Sequence, residues 1–123
     1  MQAFNAQLRQ GLADHGWEVV EVIDSDDWWA DEYWKAHSRR SLWGYEVVLT
    51  FLVDPMWDSP RKKGQGVWGV SATEGVPTDR LTAERRIGGL CLVKGRFPEN
   101  IKVLLAALDA HRNDLQRAAG GRA

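Results

Sequence analysis

Between Trp43 and Val53 every odd position is apolar or aromatic: Trp43, Tyr45, Val47, Leu49, Phe51 and Val53. A period of two places alternate side chains on one face of a strand, so this run predicts a strand with a wholly apolar face. The even positions, Gly44, Glu46, Val48, Thr50 and Leu52, begin polar and turn apolar, as beneath a partial cover. Such a run could extend over about 36 Å, more than a short edge strand needs, which predicts a central strand paired on both sides. Asp54-Pro55 ends it, because proline has no ladder donor.

Around this strand the pattern predicts the rest of the order. Phe4, Leu8 and Leu12 recur at helical spacing and form a narrow apolar stripe, closed by His15 and Gly16. The β-branched run Trp17 to Ile23 predicts the first strand. Asp24-Ser25-Asp26-Asp27 supplies capping oxygens for a helical turn near Trp28, followed by a strand over Glu32 to Ser38 and a turn at Arg39-Arg40-Ser41. The segment Asp54 to Gln65 has two prolines, three consecutive bases and no period, so it reads as a long loop. Val67 to Thr73 predicts a strand beside the central one, and Thr78 to Arg86 a short capped helix or structured loop. Leu90-Cys91-Leu92-Val93 is apolar on both faces and predicts a strand covered on each side. Phe97-Pro98-Glu99 opens the strongest helix, with Ile101, Leu104, Leu105, Leu108 and Leu115 on one face.

This order, without regular strand and helix alternation, predicts an α+β fold: a mainly antiparallel sheet of four to five strands covered on one face by the N- and C-terminal helices. Residues 1–115 would form a single domain and residues 116–123 a flexible tail.

The chain has 123 residues, enough for one core without disulfide or metal staples. Its one cysteine, Cys91, lies in an apolar run and reads as a small buried hydrophobe. Met1-Gln2-Ala3-Phe4-Asn5 lacks the basic and apolar regions of a signal peptide, and no run approaches the roughly 18 apolar residues of a membrane span. The expectation is a cytoplasmic protein. Sixteen basic against seventeen acidic residues give a formal charge of −1, so no overall field favours nucleic acid or an anionic membrane.

Seven tryptophans change this picture, since a core this small has difficulty absorbing all of them. The segment Trp28-Trp29-Ala30-Asp31-Glu32-Tyr33-Trp34 cannot place its four aromatics on one side either as helix or as strand. At least one is expected to face away from the core. Trp57, in the long loop, is the second exposed candidate, and Arg61-Lys62-Lys63 in the same loop offers mobile cations to an acidic partner.

Motifs for chemistry are weak. Gly64-Gln65-Gly66-Val67-Trp68-Gly69 spells G-x-G-x-x-G, but a basic loop precedes it and a strand follows, where dinucleotide binding needs a strand and then a helix. Asp24, Asp26, Asp27, Asp31 and Glu32 lie within nine residues, yet Trp28-Trp29 stands where a calcium loop would turn. His15, His37 and His111 lack metal-ligand spacing, and neither a nucleophile motif nor a cofactor motif is present.

The leading expectation is therefore a non-catalytic interaction module, an adaptor, inhibitor or immunity-type protein binding a protein partner or forming a homodimer. Its surface would comprise Trp28, Trp29, Tyr33, Trp34, Trp57, Asp31, Glu32, Arg61, Lys62 and Lys63. The alternatives are a small-ligand binder stacking a planar or sugar-like molecule on tryptophan, and an enzyme joining the acids to His37.

Overall fold

The strand with the clearest alternation is the middle strand of the sheet. In the computed structural model, which describes residues 2–91 and 97–120, the elements are α1 (Gln2–Asp14), β1 (Trp17–Asp24), β2 (Ala30–Ser38), β3 (Glu46–Val53), β4 (Val67–Thr73), α2 (Arg80–Glu84), β5 (Gly88–Cys91) and α3 (Phe97–Gly120). The five strands pair in chain order and every described pairing is antiparallel. This is the expected α+β arrangement.

Register decides which side chains meet. Trp34 stands opposite Leu49, Ala36 opposite Val47, and Phe51 opposite Val70, all on one face. Phe4, Leu8 and Leu12 of α1 and Ile101, Leu104, Leu105 and Leu108 of α3 close that face into the main core. The two terminal helices lie together on the face that the apolar period marked. Tyr33, Val48 and Leu52 occupy the other face, where Trp29, Ala30 and Ala83 of α2 join them in a smaller cluster. The second face is thus covered in part from within the chain, and Val48 is fully buried; Trp68 on β4 and Val20 and Val22 on β1 stay exposed.

Four features differ from the pattern. The β3 strand begins at Glu46, because Leu42 and Gly44 adopt positive φ (53° and 83°) and turn the chain before it. Trp43 therefore leaves the apolar row and is exposed, with the Arg39 guanidinium 5.2 Å from its ring. Residues 25–29 form a turn and not a helical segment: Ser25 Oγ accepts from Asp27 N at 3.0 Å, and strand pairing resumes at Ala30. Further on, α3 continues through Gly120, across residues assigned to the tail; residues 121–123 lie outside the described ones. Finally, β5 starts at Gly88 and is an edge strand, while Leu92 and Val93 lie outside the described residues, as does the environment of the Cys91 thiol.

Of the two readings of residues 78–86, the short capped helix forms as α2, with Asp79 at its N-cap accepting from Thr82 N at 2.7 Å. That bond and a second from the Thr82 hydroxyl hold the Asp79 carboxyl below its usual range.

Candidate functional site

Two antiparallel hairpins end at the same edge of the fold: the turn 25–29 between β1 and β2, and the loop 54–66 between β3 and β4. At that end the acidic and basic segments meet. Asp31 lies at a bulge in β2 and is 3% exposed. Its Oδ1 accepts from Arg61 Nη1 and, at 3.0 Å, from the backbone N–H of Gly64. Lys63 Nζ donates to Asp24 Oδ1 at 2.7 Å and to the Asp31 carbonyl at 3.0 Å, and stands 3.8 Å from Glu32 Oε2. Burial works to lower the Lys63 pKa, but the hydrogen bond to Asp24 and the charges of Asp31, Glu32 and Asp24 outweigh it, leaving the ammonium raised. A buried carboxylate is tolerated only when paired and hydrogen-bonded, and here one loop supplies both cations.

The same pairing consumes the charges that a partner would use. Of the ten site residues expected from sequence, Asp31, Glu32, Arg61 and Lys63 neutralise one another, and Lys62 remains exposed. The aromatics separate likewise. Trp29 and Tyr33 pack edge to face at 6.2 Å in the smaller cluster, with the Tyr33 hydroxyl donating to Asp27 Oδ2 at 3.0 Å. Desolvation by burial leads the rise in the Tyr33 pKa. Trp34 is buried in the main core, 4.8 Å from the Phe51 ring, with Arg9 above it at 4.7 Å.

What stays outside is narrower than the expected surface. Trp28 at the tip of the turn is 68% exposed, Met56 in the loop 83%, and Trp57 40%. Trp57 lies on Gly66, where a Cβ would stand 3.0 Å from the indole. With φ of +70° that position suits glycine, so the loop stem forms a seat for the ring. Met56 carried no pattern signal of its own beyond its place beside Trp57.

The remaining sequence candidates take ordinary positions. Gly64 to Gly69 enters β4 and no helix follows, so no helix N-terminus faces the glycines. His37 Nε2 is 3.0 Å from Glu46 Oε1, and His37 lies on the sheet face opposite to Glu32, some 17 Å along the strand. His37 and the acid cluster cannot act on one substrate from there. Among the described residues no group of three or more His, Cys, Asp or Glu side chains could hold a metal ion, and no helix is long and apolar enough to cross a membrane.

A second concentration of polar groups, at the opposite end of the sheet, has no signal in local spacing because it draws on separate elements. The Tyr45 hydroxyl, just before β3, donates to Glu74 Oε2 at 2.9 Å, and its oxygen lies 2.9 Å from His111 Nε2 on α3. Burial first, and then the bond to Glu74 and its charge, raise the Tyr45 pKa far above the ordinary phenol range. Glu74 and His111 line a cavity of about 520 Å³ together with Thr82, Arg85, Arg86 and Ile87. Arg80 belongs elsewhere, donating to the Val53 carbonyl at 3.1 Å. No family model matches the chain, and no curated protein or solved structure matches it either.

Proposed function

We propose that this chain is a non-catalytic interaction module of the cytoplasm that binds a protein partner through Trp28, Met56 and Trp57. The observation that carries this reading is the exposure of three large apolar side chains at one end of the sheet: Trp28 on the β1–β2 turn, and Met56 and Trp57 on the loop that the Arg61–Asp31 and Lys63–Asp24 pairs tie to β2 and β1. Exposed aromatic and methionine side chains are enriched at the centres of protein interfaces. Holding them in place before binding lowers the ordering cost of association. The charged groups are then scaffold, and the contact is apolar with Lys62 at its margin.

A photo-crosslinking amino acid placed at position 28 or 57, with position 43, which is more exposed than either, as the control, tests this reading in cells. Positions 28 and 57 should trap the same species, and position 43 should not; light scattering then separates a second copy of the chain from a foreign partner. Equal, unspecific labelling at all three positions would refute the proposal. A ligand stacked on tryptophan is less favoured, because Trp28 and Trp57 line neither the cavity beside Glu74 nor the groove between α1 and α3 at Gly11 and Ile101.

A further inference from the structure

The cavity at the Glu74 end carries charges of both signs on its walls, with hydrogen-bonding capacity left over. Among the described residues, neither the Arg85 nor the Arg86 guanidinium makes a hydrogen bond or a close ion pair, Arg85 having only the more distant charge of Asp79, and both line the cavity. Arg86 is also positioned, because its stem crosses Gly89 on β5, where a Cβ would stand 2.7 Å from Arg86 Cδ. On the other wall Glu74 gives Oε2 to the Tyr45 hydroxyl, while Oε1 has only His111 Nε2 at 4.0 Å, beyond hydrogen-bond distance. Tyr45 and His111 thus aim a carboxylate whose second oxygen is open.

We infer that this cavity binds a small amphoteric molecule, with a carboxylate or phosphate group on Arg85 and Arg86 and an amine on Glu74. Its volume of about 520 Å³ is in the range of small-molecule sites. Two guanidinium groups suit the oxygens of an anion better than a point charge does. A plain anion would gain from them but would meet the Glu74 carboxylate uncompensated, so the second charge on the ligand supplies selectivity. Val76 and Ile87 give the middle of the site an apolar wall.

Phosphoethanolamine and γ-aminobutyrate serve as amphoteric probes, with inorganic phosphate and acetate as the matching plain anions. Binding is followed by the amide shifts of Gly75, Thr82 and Ile87 in nuclear magnetic resonance titrations. At least one amphoteric probe should bind about tenfold tighter than its plain anion, and which one does so distinguishes phosphate from carboxylate. Glu74→Gln, which still accepts from Tyr45, should abolish that preference while leaving the plain anion bound. Arg85→Gln with Arg86→Gln should weaken the preferred probe about tenfold or more. A retained amide spectrum verifies the fold of each variant. Plain anions binding as well as their amphoteric counterparts, or no shift with any probe at millimolar concentration, would overturn the inference.

Discussion

Arg61 and Asp31 are 30 residues apart in the chain, yet the guanidinium donates to a carboxylate that is almost wholly buried. Removing Arg61 leaves Asp31 with only the Gly64 N–H and the more distant Lys63 ammonium. Arg61→Met should therefore cost about 1–3 kcal/mol in urea unfolding. Adding Asp31→Asn to that variant should recover part of the loss, because no buried charge is left unpaired. Strict additivity of the two substitutions would show that they do not share one interaction.

A second long-range staple fixes α3. Arg112 is buried, stacks 4.5 Å from the Trp17 ring, and donates to Ser38 Oγ at 3.1 Å, the His15 carbonyl at 2.9 Å and Asp109 Oδ1 at 3.1 Å. Desolvation leads the lowering of its pKa, with Asp109 opposing. Arg112→Met should destabilise by about 3–5 kcal/mol by calorimetry or urea, since it orphans several acceptors. Arg112→Lys should recover only part, lacking the planar fork.

Alkaline pH gives a third test. The chain has two tyrosines, and both are raised above the ordinary value of 10.0, as Lys63 is above 10.5. A folded pKa above the unfolded one means that the protonated form is favoured in the fold. That stability is fully present below the unfolded values, near pH 10, and is lost as pH rises through the folded values. Tyrosinate absorbance should accordingly lag in the folded protein and appear at ordinary pH in denaturant, while the urea midpoint falls above pH 10. Tyr45→Phe should flatten that fall; an unchanged slope would mean that Tyr45 does not contribute.

The seat of Trp57 is testable at Gly66. Gly66→Ala places a Cβ against the indole at a positive φ and should cost about 1–2 kcal/mol. In a Trp57→Ala background the clash is gone and only the backbone term remains, so the same substitution should cost less. Equal costs in both backgrounds would mean that ring and glycine do not touch.

Much of the fold was legible because its signals are local. Alternation from Trp43 to Val53 predicted the central strand, and Phe97, Pro98 and Glu99 the start of α3. The turn at Trp28 was not, since aspartate and serine side chains serve a turn as readily as a helix cap. Pairing of β2 with β1 selected the turn. Trp43 continued the period in the sequence, but the turn at Leu42 and Gly44 removed it from the strand.

What the sequence by itself determined is the order of elements, the face of the sheet that the terminal helices cover, and the surplus of tryptophan over core space. Periodicity and turn chemistry act between near neighbours, so they can be read along the chain. Tertiary structure alone decided that the acidic and basic segments form one ion cluster around the buried Asp31, that Trp29, Tyr33 and Trp34 go inside while Trp28 stays out, and that Tyr45, Glu74, Arg86 and His111 share one end. Those relationships depend on strand register and loop docking across tens of residues, where burial requires each charge to find a partner that its own neighbourhood does not specify.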